Sequence, residues 1–174
     1  DNQSTLSLPA IHAFDTEDEL INIGEMIFNK IDPVLGEYYK TMRQQKLLDL
    51  MNRKGKAPGA FCTSFATLGV PFIFMNAAKK TEDLYTLFHE TGHGFHVFER
   101  SKLPYHHQWR SNMEFNEVAS MAMELLAEPY IGEEMGGFLS TRDAARTRLD
   151  NLEAALLFWP YMAVVVAFQH WVYE

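Results

Sequence analysis

Thr81-Glu82-Asp83-Leu84-Tyr85-Thr86-Leu87-Phe88-His89-Glu90-Thr91-Gly92-His93-Gly94-Phe95-His96-Val97-Phe98-Glu99 is the stretch on which the reading of this chain turns. Glu82 and Asp83 suit the first turn of a helix, where the backbone dipole favours negative charge, and the helix is expected to run towards Glu99. Inside it stands the pattern H-E-x-x-H, at His89, Glu90 and His93. Residues four apart share one helix face one turn apart, so both imidazoles can reach one metal ion. Glu90 stands one position beyond His89 and is placed to face water carried by the metal. A metal lowers the pKa of that water and polarises a carbonyl, while a carboxylate such as Glu90 takes up the proton.

Two histidines need a third protein donor. The metzincin pattern would set Gly three residues and His six residues after the second histidine; His96 and Glu99 stand there instead. A carboxylate on a separate helix remains, and Glu114, Glu117, Glu124 and Glu128 all lie on the next one. Periodicity does not choose among them.

On the N-terminal side, Thr16-Glu17-Asp18-Glu19 reads as a capping box, with hydroxyl and carboxylate satisfying backbone donors reciprocally. Leu20, Ile23, Ile27 and Ile31 follow at helical spacing. Asp32-Pro33 restarts a helix whose apolar positions Leu35, Tyr39, Met42, Leu47 and Leu50 carry it to about Asn52, with Pro33 at the first helical position. Gly59 to Phe65 and Val70 to Met75 read as two short strands around a turn at Leu68-Gly69, the one β signal in the sequence. Pro71 belongs at a strand start or edge, since it cannot donate to a ladder.

On the C-terminal side, Ser111-Asn112-Met113-Glu114 resembles a second capping box, with its helix running to about Glu128 before Pro129. Thr141-Arg142-Asp143 opens a long last helix that Pro160 should kink. Ala154 to Tyr173 carries no formal charge and reaches the length of a membrane-spanning helix. Pro160, Gln169, His170 and the lack of a flanking basic cluster favour a buried core helix and no membrane. The start, Asp1-Asn2-Gln3-Ser4, and the end at Tyr173-Glu174 suggest a piece of a larger protein.

The 174 residues carry 15 Lys plus Arg against 23 Asp plus Glu, a net charge of −8. That balance speaks against a nucleic-acid partner, because there is no basic surplus to displace counterions. With 47% hydrophobic and 22% charged residues the chain is of ordinary globular make-up. Its single cysteine, Cys62, excludes an intrachain disulfide and fits a reducing, cytoplasmic compartment. Cys62 reads as a small buried hydrophobe, and His12, His106, His107 and His170 read as surface or structural.

The run from Gly55 to Pro129 resembles the active-site core of the thimet oligopeptidase and oligoendopeptidase F family of zinc metallopeptidases. The family's H-E-x-G-H-x-x-H is matched by His89, Glu90, Gly92, His93 and His96, and its E-x-x-S by Glu117 and Ser120, with a second Glu at Glu124. Gly55-Lys56-Ala57-Pro58-Gly59-Ala60, Pro160-Tyr161-Met162-Ala163 and Phe168-Gln169-His170-Trp171 are similar to the bacterial branch. The resemblance implies a mainly α, zincin-like catalytic core with a small β-ribbon, truncated to one partial domain: helical over 1–54, ribbon over 55–77, helices with the zinc site over 78–174. It implies one Zn2+ held by His89, His93 and Glu117, with Glu90 as general base and short peptides as substrates. Glu124 and Ser120 are candidates to orient the ligands, and His96 reads either as the same or as structural. Gly92 is expected where backbones approach closely.

Gly59, Ala60 and Phe61 open a strand suited to accept an extended peptide, or serve simply as a core ribbon. The family's downstream His and Tyr region, which stabilises the oxyanion, lies beyond the stretch matched here. Loss of an oxyanion donor costs roughly 100- to 1,000-fold in rate. The alternative is therefore a non-catalytic zinc-binding fragment, and a third reading is a membrane-attached helical protein. The apolar last helix implies self-association or a complementing chain.

Overall fold

The computed structural model describes residues 10–174; the start Asp1-Asn2-Gln3-Ser4 lies outside the described residues. The Thr16 capping box forms, with the Thr16 hydroxyl accepting from the Glu19 N–H, and it opens α1 (Glu17–Ile31). Asp32 then ends α1 and starts α2 (Pro33–Gln44), its carboxylate accepting from the Val34 N–H at 2.7 Å. Leu20, Ile27 and Phe28 of α1 are buried with Tyr39 and Met42 of α2.

The second helix is shorter than its apolar spacing suggests. Lys46 takes a left-handed φ of 56°, a conformation that a helix cannot propagate through, and Leu48–Met51 becomes β1. The Leu47 and Leu50 positions therefore belong to a strand approach and a strand, and the ribbon gains a third member. β2 (Phe61–Phe65) and β3 (Val70–Ala77) complete a sheet of order β1-β3-β2, with β1 parallel and β2 antiparallel to β3. Pro71 is tolerated in the central strand because the pairing of β1 with β3 starts only at Ile73. β2 is left as an edge.

Ile73, Met75 and Ala77 alternate along β3 and are buried in the same core as Leu84, Leu87 and Phe88 of α3 (Thr81–Ser101). The Phe28 ring meets Phe88 and Phe95 edge-on at 5.9 and 4.9 Å, so α3 lies between the sheet and the α1–α2 pair. α4 (Met113–Ala127) crosses α3. Its expected capping box does not form: the Ser111 hydroxyl donates to Asn116 Oδ1 at 2.6 Å, and Asn112 occupies the cap without a side-chain bond.

α5 (Thr141–Tyr173) is capped by Ser140, whose hydroxyl accepts from the Asp143 N–H, and it continues past Pro160. Its buried residues are Ala144 and Thr147, in the first turns. Trp159, Val164 and Trp171 are exposed at 76%, 67% and 76%. The expectation of a buried core helix is thus overturned, because no described element packs along its apolar half. By length and composition alone the helix is long and apolar enough to cross a membrane.

Candidate metal centre

His89 and His93 stand one turn apart on α3, their rings edge-on with centroids 4.9 Å apart. What brings a carboxylate opposite them is the closeness of α3 and α4. A Cβ built on Gly92 would lie 2.6 Å from Ser120 Cα and 2.7 Å from the Ala119 carbonyl oxygen. Only a residue without a side chain fits there, as the sequence suggested for Gly92. The crossing places Glu117 Oε2 3.2 Å from His89 Nε2 and Glu117 Oε1 3.7 Å from His93 Nε2. Donor atoms of the three residues all lie within 4.8 Å of one another. Donors bound tetrahedrally to a zinc ion at about 2 Å stand about 3.3 Å apart, so this set fits such an ion. All three side chains keep some solvent access, leaving an open side.

The surrounding groups orient the donors. Glu124 Oε1 lies 2.7 Å from His89 Nδ1; an ionised carboxylate only accepts, so Nδ1 carries a proton and Nε2 is the nitrogen turned to Glu117. The same contact raises the His89 pKa, against the effect of burial. Burial lowers that of His93. Ser120 is fully buried, and its hydroxyl lies 3.0 Å from Glu117 Oε2 and 3.0 Å from the Glu117 carbonyl, as donor. Glu114 is exposed. Glu128 is turned away, accepting from Asn151 Nδ2 at 2.7 Å and the Tyr85 hydroxyl at 3.3 Å.

Glu90 is 8% exposed. Burial is the largest influence on its carboxyl and raises its pKa; His89 and the Cys62 backbone N–H pull the other way. The edge strand thus passes beside the Glu90 carboxylate. At its start Phe61 is exposed and stacks on Phe74 at 4.9 Å. Ala60 precedes it, and the Gly59 carbonyl, at a left-handed φ of 99°, accepts from Asn76 Nδ2 at 2.8 Å.

His96 stands apart from the three-donor group and lines an adjoining cleft with His93, Arg100 and Asn116. Arg100 and Asn116 were not singled out from the sequence. The signal was present, since 89, 93, 96 and 100 share one face of α3. Burial pushes the Cys62 thiol up to about 12. His12 and His170 are exposed beside Asp15 and Glu174, and His106 and His107 lie in an exposed 3-10 turn. Lys56 is buried, donating to the Asp49 carbonyl at 2.9 Å, Asp49 Oδ1 at 3.1 Å and the Met51 carbonyl at 2.9 Å. It ties the segment after β1 to that strand.

The profile of peptidase family M3 matches residues 28–174. The chain belongs to peptidase family M3. Oligopeptidase PepF of Bacillus subtilis (strain 168) is 28% identical over 143 residues, covering 74% of this M3 chain and 21% of that protein. An oligoendopeptidase F homolog of Borreliella burgdorferi (strain ATCC 35210 / DSM 4680 / CIP 102532 / B31) is 30% identical over 113 residues, 62% of this chain and 19% of that one. The solved structure of PZ peptidase A with an inhibitor superposes with a TM-score of 0.76 at 31% identity, over 84% of this chain and 25% of that one. The M3 chain therefore spans about a fifth of the length of these curated relatives, and its mainly α fold with a small sheet is a part of theirs.

Proposed function

We propose that this M3 chain carries the zinc-binding and proton-transferring centre of an endopeptidase that hydrolyses short oligopeptides in the cytoplasm. The observation that supports it most is the gathering of donor atoms of His89, His93 and Glu117 within 4.8 Å of one another, with the Glu90 carboxyl close enough to feel His89 and Glu117. In this reading His89, His93 and Glu117 hold one zinc ion, which when bound supplies a Lewis acid that polarises the scissile carbonyl and acidifies water. Glu90 accepts a proton from the attacking water and returns it to the leaving amine. The rise of its pKa on burial makes it the stronger base. Glu124 holds the His89 ring in the tautomer that offers Nε2, and Ser120 holds the Glu117 carboxylate. The peptide lies extended along the open edge of β2, from Gly59, Ala60 and Phe61 onwards, gaining main-chain hydrogen bonds that are indifferent to sequence.

A second reading is a non-catalytic zinc-binding fragment or scaffold. It is favoured by the chain's share of its relatives' length and by the uncovered apolar half of α5, which a complementing chain or a second copy would cover. Cleavage of quenched peptides by the zinc-loaded chain and its Glu90→Gln variant separates the two. The enzyme reading expects the variant to keep zinc and lose about 100-fold or more in rate. Cleavage equal in both would refute Glu90 as the base, and zinc without any cleavage selects the second reading.

A further inference from the structure

Against the metal centre lies a cleft of about 320 Å³ bounded by Ser64 of β2, by His93, His96 and Arg100 of α3 and by Asn116 of α4. Arg100 is the one permanent cation lining it. Its Nη2 donates to Ser64 Oγ at 3.1 Å and its Nη1 to the Trp109 carbonyl at 3.5 Å. Its Nε is buried with no hydrogen-bond partner. Both acceptors are neutral, and among the described residues no carboxylate lies within ion-pair distance of the guanidinium. In a chain with 23 acidic and 15 basic residues, a part-buried arginine without an acid is out of keeping with the excess of anions. A guanidinium offers donors in a planar fork that matches a carboxylate, and a desolvated one lacking an anion is a ready receptor for it.

Position says which carboxylate. Arg100 is seven residues beyond His93 on α3, about 10 Å along the helix axis and about three residues of extended peptide. Cys62 of β2 faces Glu90 and Ser64 faces Arg100, so the strand runs from the proton-transferring group towards the arginine. Resting on the peptidase reading above, we propose that Arg100 recognises a carboxylate of the bound peptide about three residues from the scissile bond. A peptide parallel to β2 would present its C-terminal side there, including a free terminus; an antiparallel one would present an Asp or Glu side chain on its N-terminal side.

The test uses the full chain as Glu90→Gln, with zinc content measured, titrated by fluorescence anisotropy with labelled hexapeptides. One pair differs as free acid and C-terminal amide. Further pairs, all amidated, differ by a single Glu or Gln scanned along the peptide. We expect one carboxylate-bearing peptide to bind about tenfold tighter than its neutral match. That ratio falls to about one in Arg100→Gln and recovers in part in Arg100→Lys. The terminal pair or the scanned pairs show the effect according to strand direction. Equal binding within every pair, no binding of any peptide, or a loss in Arg100→Gln that leaves the ratio intact, as a purely structural tether to Ser64 would give, overturns the proposal. A failed peptidase reading shows differently, as absent zinc or absent wild-type cleavage with the carboxylate ratio preserved.

Discussion

Glu124 and His89 are joined by a 2.7 Å contact between a carboxylate oxygen and Nδ1, which leaves Nε2 of the same ring 3.2 Å from Glu117. Two acids from one helix thus address both nitrogens of a histidine on its neighbour. In the zinc reading one is a fellow ligand and the other sets the tautomer.

Glu124→Ala removes that orientation and no proposed ligand. Zinc affinity should fall about 10- to 100-fold, read by competition with a chromophoric chelator. Glu114→Ala, exposed on the same helix, should leave it unchanged; equal losses would deny Glu124 a special role.

Gly92→Ala adds a methyl 2.6 Å from Ser120 Cα. The obstacle is backbone, so it cannot swing aside, and the helix-propensity gain of about 1 kcal/mol is outweighed. Net destabilisation of about 1–3 kcal/mol is expected from denaturant unfolding, with weakened zinc binding as the helices part. Gly94→Ala meets Met42 Sδ at 3.3 Å and Pro71 Cγ at 3.5 Å, and the flexible sulfur can yield, so its stability should stay near wild type.

Asp49 is held down to about 2, first by the Arg53 guanidinium and then by Lys56. A carboxyl depressed on folding stabilises fully above its unfolded value, about pH 4, and loses that contribution as pH falls through its folded value. Asp49→Asn should therefore lower stability at pH 7, with the gap to wild type closing between about pH 4 and about pH 2. Urea midpoints across that range are the measurement; a constant gap would exclude the ionic origin.

α5 exposes Leu156 at 65%, Trp159 at 76% and Trp171 at 76%, a surface of the kind that seeks cover. Light scattering on the purified chain should give a species heavier than 20.0 kDa, with Leu156→Glu and Trp159→Glu shifting it towards the monomer. A monodisperse wild-type monomer would contradict self-association.

Much of this was readable from residue order because it depends on local rules. The spacing of His89 and His93 fixes their shared face, the Thr16 and Glu19 pair fixes a helix start, and Gly92 announced a close crossing. Other features depended on partners that periodicity does not report. Leu47 and Leu50 continue a helical spacing, yet Lys46 turns left-handed and β3 offers a ladder, so strand pairing wins. Ser111 finds Asn116 in place of its own backbone. Glu117, Glu124 and Glu128 are similar as sequence, yet the packing of α4 on α3 sends the first two towards His89, while Glu128, in the turn after α4, meets Tyr85 and Asn151. Arg100 shares the histidine face, but its want of an acid is a tertiary fact.

Zinc content after equilibrium dialysis of the chain and its His89→Ala, His93→Ala and Glu117→Ala variants bears most directly on the centre. One tightly held ion per wild-type chain, with each single variant losing it, is the expected result. A wild-type chain that retains none, or variants that retain as much as wild type, would contradict a metal site built from these three side chains.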